Sequence, residues 1–222
     1  MLPIVVNSTK KYANITLPIL LESFEKYKKE YNPEIFIIIG GYDTVTVRKL
    51  NSYTIIEVDN NTIDFTGLLY ILENDIFKQE HFLYIHDTII VGETFFIRHA
   101  NLPFIPTNTT VSFQFPSSFI GIYSQNVLQK FKDKLIGLKN KDYSENTIQK
   151  IKHQCVISED YIFRLNILNH TFFPTKPDPK WGTTVNIYNG VPRLPEYYAD
   201  LDFYKYKATW ARSDDLKYNL VP

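Results

Sequence analysis

The chain has 222 residues, 44% hydrophobic and 15% aromatic, enough to bury a large core within the size range of one domain. Lysine plus arginine equals aspartate plus glutamate at 24 each, which excludes a global field drawing the chain toward nucleic acid or an anionic membrane. The single cysteine, Cys155, excludes an internal disulfide and a cysteine-based zinc cage, and fits a reducing compartment.

No apolar run approaches the roughly 20 residues that span a bilayer, and "MLPIVVNSTKKY" is too short and polar for a signal peptide. A soluble, cytoplasmic protein is expected. Sequons begin at Asn7, Asn14, Asn60, Asn108 and Asn169, but an asparagine- and threonine-rich chain produces them by chance.

Residues 3–6, "PIVV", predict a first strand, with Asn7-Ser8-Thr9 as the polar turn behind it. Leu17, Leu20, Leu21, Phe24 and Tyr27 recur at helical spacing, predicting a helix over 16–31 with Thr16 as its N-cap and Pro18 in its first turn. "EIFIIIGGYD" and "YTIIEVD" are apolar strand-length runs, closed by Gly40-Gly41 and by Asp59-Asn60-Asn61. Their continuous rather than alternating character predicts parallel strands covered on both faces. A helix from about Asp64, with Phe65, Leu68, Leu69 and Leu72 inward, leads into "HFLYIHDTIIV", the most strand-like run of the first half. Strand, helix, strand, strand, helix, strand reads as a doubly wound α/β fold, in which ligands gather at the carboxyl ends of the strands.

Beyond residue 100, "LPFIPTNTTVSFQFPSSFIGIYS" suits short antiparallel strands or loop. Helical spacing resumes over 124–138 through Val127, Leu128, Phe131 and Leu135, and again in "TIQKIKHQCVI" and from Glu159. The proline- and tyrosine-rich tail reads as irregular wrapping structure.

His86-Asp87-Thr88 interrupts an apolar run where a central strand ends. An aspartate there can ligate Mg²⁺ or Mn²⁺ that neutralises a diphosphate; the bland alternative is a turn cap beside a satisfied histidine. Glu159-Asp160 opens a helix, where a carboxylate facing a cleft can act as general base, although acids favour first helical turns for electrostatic reasons alone. Asn7-Ser8-Thr9, Gly40-Gly41-Tyr42-Asp43 and Asp59-Asn60 are polar stretches behind three strands, so a parallel sheet brings them to one rim able to hold a base, ribose and phosphates. "IGGYD" lacks the third glycine of a dinucleotide fingerprint, and no Walker-type loop is present. His170 is a candidate third metal ligand. Trp181, Gly182, Tyr188, Tyr197 and Tyr198 are either sugar-stacking or core-filling residues.

With these pieces in order, the chain resembles GT-A fold nucleotide-sugar glycosyltransferases, and more loosely the small viral and phage-type members. "HFLYIHDTIIV" resembles the strand that carries the family's Asp-x-Asp motif, which binds Mn²⁺ or Mg²⁺ with the donor diphosphate. "SEDYIFRL" resembles the segment whose second acid, Asp160 here, is the base of inverting members. "FPSSFIGIYSQNVLQKF" is similar to the acceptor-side segment. The motif has one aspartate, Asp87, with Ile85 or His86 in place of the first acid; His86 as a nitrogen ligand would favour Mn²⁺.

The resemblance implies a mixed, mostly parallel sheet flanked by helices in one domain over 1–222. Residues 1–100 would be the nucleotide-sugar half, and 101–222 the acceptor-side half and tail. It implies sugar transfer from a nucleotide diphosphate to an acceptor hydroxyl on a glycan or glycoprotein. The base would lie near Asn7, Ser8, Thr9 and Asp43, the ribose near Asp59 or Asp64, the diphosphate and metal at His86, Asp87 and His170, and catalysis at Asp160 with Glu159 orienting the acceptor. A nucleotidyltransferase, or a catalytically silent sugar- or partner-binding domain of the same fold, are the alternatives.

Overall fold

The computed structural model describes residues 1–77, 81–102, 111–112, 120–139, 178–179, 186–188, 191–193 and 196–206. Strand β1, Ile4–Thr9, starts from the β-branched Ile4-Val5-Val6 and runs through Asn7, Ser8 and Thr9 rather than turning there. The reason is the ladder: Asn7, Ser8 and Thr9 stand in register with Ile38, Ile39 and Gly40 of the parallel strand β2, Ile35–Gly40. Sheet pairing satisfies the backbone that the polar side chains would otherwise have turned.

Helix α1, Lys10–Tyr27, follows without a connecting loop. Thr16 is therefore an interior residue, not the expected N-cap, and Pro18 sits well inside the helix on an exposed position. Ala13 and Thr16 extend the buried stripe of Leu17, Leu20 and Phe24 by a turn, and neither registers as strongly apolar in the sequence.

The chain divides into two compact units: Met1–Lys10, Pro33–His86 and Pro103–Pro174 form one, and Lys11–Asn32, Asp87–Leu102 and Thr175–Pro222 the other. The units interleave along the chain.

The first unit holds a seven-stranded sheet. Strands β3, Thr46–Leu50, and β4, Tyr53–Val58, follow β2, and β5 is His81–His86; β7, Val111–Ser112, and β8, Ile120–Ser124, complete it. The order is β3-β4-β2-β1-β5-β8-β7. Its centre, β4-β2-β1-β5, is parallel, while β3, β8 and β7 pair antiparallel at the flanks. This is the mixed α/β sheet with a parallel centre that the sequence predicts. Strand β3 was not expected, because its residues after Thr46 are exposed and carry no buried stripe.

A short 3-10 turn, Ile63–Phe65, runs into helix α2, Thr66–Asn74. Phe65, Leu68, Leu69 and Leu72 are buried as expected, packing with Val5, Ile38, Ile56, Phe82 and Tyr84 on one sheet face. The helix expected over 124–138 is two, α4, Gln125–Lys130, and α5, Lys132–Ile136, broken at Phe131. Val127, Leu128, Phe131 and Leu135 still join that core. Ser124 caps α4 by accepting from the Val127 amide at 3.3 Å.

In the second unit, strand β6, Ile89–Val91, heads a sheet of order β6-β13-β12-β9, with β9 at Asp178–Pro179, β12 at Glu196–Tyr198 and β13 at Phe203–Lys205. Strands β10, Asn186–Tyr188, and β11, Val191–Arg193, form a separate hairpin. The described parts of the tail include short antiparallel strands. Helix α3, Phe95–Ala100, places Phe95 and Phe96 against Phe24 of α1, with ring centroids 6.0 and 5.4 Å away. No helix among the described residues is long and apolar enough to cross a membrane.

Candidate functional site

The strand order makes β1 a branch point: β2 and β4 lie on one side of it, while the chain after α2 returns as β5 on the other. In α/β sheets the carboxyl ends of the strands beside such a branch point are where ligands bind. Asn7 of β1 and His86 of β5 stand side by side there, as register partners.

Both are buried, Asn7 at 4% and His86 at 8% exposure. The Asn7 side chain donates to the Ile63 carbonyl at 2.9 Å and accepts from the Gly67 amide at 2.8 Å. It thereby ties β1 to the loop that enters α2. Ile63 has a φ of 56°, a left-handed conformation that a β-branched residue enters only under constraint. Asn7 on its carbonyl and the Asn61 side chain accepting from its amide at 3.1 Å supply that constraint.

The strained residue presents Asp64, whose Oδ1 lies 3.8 Å from His86 Nδ1. Beneath them the Tyr84 hydroxyl donates to the Asp64 carbonyl at 2.8 Å, and its ring meets the His86 imidazole edge-on at 5.8 Å. Burial, reinforced by Tyr123 and Asp64, pushes the Tyr84 phenol well above its ordinary value, so it stays a neutral donor. A histidine facing a carboxylate at a strand end can hold a proton, orient a phosphate or donate a nitrogen to a metal.

Gly40, at the end of β2, is packed so closely that a Cβ would stand 2.7 Å from the Asn60 carbonyl and 2.9 Å from Thr66 Cγ2. Gly41, at φ 95°, turns the chain out of the sheet, donating to Val58 and Asn60. Beyond it the Lys10 ammonium lies 4.8 Å over the Tyr42 ring.

The structure brings Asn7, Asp64 and His86 together. Ser8 is buried in β1 and Thr9 ends it, whereas Asp43 and Asp59 are exposed in the bends after β2 and β4. The pairing of Asp64 with His86 was not legible in the sequence, where they are 22 residues apart and were assigned separate tasks.

Asp87 begins the second unit's share of the motif. It is 8% exposed, and its Oδ2 accepts from the Thr16 hydroxyl of α1 at 2.5 Å. Thr88 accepts from the Lys205 ammonium through its hydroxyl and from the Tyr206 amide, at 3.1 Å, through its carbonyl. Thr16, Lys205 and Tyr206 were missed: one looked like a cap, and the others lay in a tail without a periodic pattern.

Glu159, Asp160 and His170, the helices expected around them, and Cys155, Trp181 and Gly182 lie outside the described residues. Tyr188 is on β10, and Tyr197 and Tyr198 are on β12. Tyr198 is buried, stacking on Phe203 at 4.7 Å, which is core filling. Tyr197 is half-buried, 4.8 Å from Tyr204. Among the described residues, no three histidine, cysteine, aspartate or glutamate side chains come together to hold a metal ion.

No protein-family model matches the sequence, and no curated protein matches it. Among solved structures, the chain is similar to galactosyltransferase LgtC in complex with donor and acceptor sugar analogs, at 12% identity and a TM-score of 0.42, over 64% of this chain and 67% of that one. An active-site mutant of LgtC gives 11% identity and 0.42 over 64% and 66%. The glycosyltransferase GlyE of Streptococcus pneumoniae TIGR4 gives 11% identity and 0.41, and the match covers 71% of this chain but only 51% of GlyE.

Proposed function

We propose that the protein is a glycosyltransferase that moves a sugar from a nucleotide diphosphate donor to an acceptor hydroxyl on a glycan or glycoprotein, with inversion. The observation that carries this reading is the meeting of His86, Asp64 and Asn7 at the carboxyl ends of β1 and β5. Polar buried groups are costly unless they have work to do, and here a strained residue holds one of them in place.

The donor base would lie on the rim after β1 and β2, near Thr9 and Asp43, with the ribose at Asp59 or Asp64 and the diphosphate beside His86. The acceptor oxygen attacks the anomeric carbon from the face opposite the diphosphate. As that bond forms, the bond from the anomeric carbon to the phosphate oxygen breaks, and its electron pair stays on the leaving diphosphate. The proton of the acceptor hydroxyl passes to the Asp160 carboxylate, with Glu159 orienting the acceptor.

Release of free sugar from a panel of nucleotide sugars, with and without Mn²⁺, is the direct test. Turnover of at least one is expected; none under either condition sinks the reading. Asp160→Asn should abolish transfer while leaving donor binding intact, and an unchanged anomeric configuration, read by NMR, would defeat the direct-base picture. A second reading, a sugar-binding domain without transfer, is favoured by the burial of Asp87 against Thr16; it predicts donor binding with no turnover.

A further inference from the structure

Within the first unit, which holds Asn7, Asn61, Ile63, Asp64, Tyr84 and His86, three side chains act on one short piece of backbone. Asn7 donates to the Ile63 carbonyl at 2.9 Å, the Asn61 side chain accepts from the Ile63 amide at 3.1 Å, and the Tyr84 hydroxyl donates to the Asp64 carbonyl at 2.8 Å. Together they keep a β-branched residue at a φ of 56°, a strain that persists only where the surroundings over-determine it. All three bonds end on main chain, so the Asp64 carboxylate is positioned by them without being used by them.

That side chain is 32% exposed, and among the described residues its carboxylate accepts no hydrogen bond; His86 Nδ1, at 3.8 Å, stands beyond hydrogen-bond distance. Asp59, the other acid considered for the ribose, is exposed in the bend after β4. Charge then selects what Asp64 can take. A carboxylate repels phosphate oxygens and accepts from O–H or N–H groups. With the diphosphate beside His86, the next group along a nucleotide is the ribose, whose two adjacent hydroxyls match the two oxygens of one carboxylate. The base lies one sugar further on.

We propose that Asp64 reads the ribose of the donor, accepting from its 2′- and 3′-hydroxyls, with Asn7 and Tyr84 as positioning residues that act through the backbone of residues 63–64. The proposal rests on the donor reading above, decides between its two ribose candidates, and makes the site selective for ribonucleotides over deoxyribonucleotides. A site built to hydrogen-bond a hydroxyl rejects the analogue that lacks it, because its own polar group is left unpaired.

The test is calorimetric titration of the full chain, in Mn²⁺, with UDP and GDP and with the 2′-deoxy and 3′-deoxy form of each. For whichever base binds, each deoxy form should bind the wild-type chain about tenfold or more weakly. Asp64→Ala should weaken the ribonucleotide and bring it within about threefold of its deoxy forms; Asp64→Asn, which keeps the shape, should lose part of the discrimination. Tyr84→Phe and Asn7→Ala should shrink the ratio too, whereas residues that only stabilise the fold would lower the melting temperature and leave the ratio unchanged, which overturns their positioning role. Equal binding of ribose and deoxyribose forms to the wild-type chain overturns the proposal without recourse to any variant. So does an Asp64→Ala chain that weakens both forms alike, as loss of a carboxylate serving a cation or the base would. In either case turnover of a nucleotide sugar leaves the donor reading standing. A wild-type chain that binds neither nucleotide and turns over no nucleotide sugar removes the donor reading itself, and this proposal with it.

Discussion

Asn7 shows how one side chain can fix the loop that enters a helix. Its two hydrogen bonds hold Ile63 in a left-handed conformation and fix the start of α2, so Asn7→Ala should cost roughly 2–3 kcal/mol in urea unfolding. The same variant should weaken donor binding, and unchanged stability would show that neither bond matters. His99 makes a different statement. It is 1% exposed, stacked on Phe95 with ring planes 10° apart, and neither ring nitrogen has a hydrogen-bond partner among the described residues. Burial lowers its pKa from 6.5 to about 4, so the unfolded chain binds the proton more readily between those values. Stability should therefore fall as pH drops from about 6.5 toward 4 and level off below, by at most roughly 3 kcal/mol from this residue. His99→Phe should flatten that slope in thermal melts taken across the window; an unaltered slope would assign it elsewhere. In the sequence, His86 and Asp87 are legible as a polar interruption of an apolar run, Asn7 as a polar residue behind a strand and Asp64 as the start of a helix. The partners of each were not, because hydrogen bonds across 56 to 71 residues leave no local pattern.

At the level of elements, Asp202 joins the β12–β13 hairpin to the start of α3. Its carboxylate accepts from the Thr94 amide and hydroxyl, both at 2.7 Å, and from the Tyr197 hydroxyl at 2.9 Å. Burial alone would raise its pKa, but these donors, with Arg98 nearby, hold it below the usual 3.8. Because the folded value is the lower one, this contribution is complete above the ordinary carboxylate range and is lost as pH falls through the folded pKa. Its window lies below that of His99. Gly92 makes the joint possible: a Cβ there would collide with the Asp202 carboxylate. Gly92→Ala should destabilise by about 1–3 kcal/mol, and adding Asp202→Ala should cost less than the sum of the two single changes. Full additivity in chemical denaturation would mean that the pair does not share this space. Helices α1 and α2 announced themselves through their apolar stripes. Strand β3 and the tail strands did not, since edge and hairpin strands with exposed faces lack both alternation and continuous apolar character.

Across the whole molecule, the parallel centre of the sheet sets the hierarchy of stability. Ile4, Val5, Val6, Ile37, Ile38, Leu83, Tyr84 and Ile85 are fully buried, while β3 is exposed beyond Thr46. Amide hydrogen exchange should be slowest in β1, β2 and β5 and faster by orders of magnitude in β3; comparable rates would contradict a core centred on β1. The sequence alone determined the class of fold, because continuous β-branched runs separated by amphipathic helices can bury themselves only as a parallel sheet with covered faces. It also located the polar interruption at 86–88, because so abrupt a break in an apolar run has few structural causes. Only the tertiary structure decided the order of strands, and hence that β1 and β5 are neighbours and that Asp64 faces His86 at their ends. It likewise decided that Thr16 and Lys205 flank the residues after His86. The physical reason is range: periodicity records which face of an element is buried, but strand order and long-range hydrogen bonds depend on how elements far apart in the chain satisfy one another's backbone and charge.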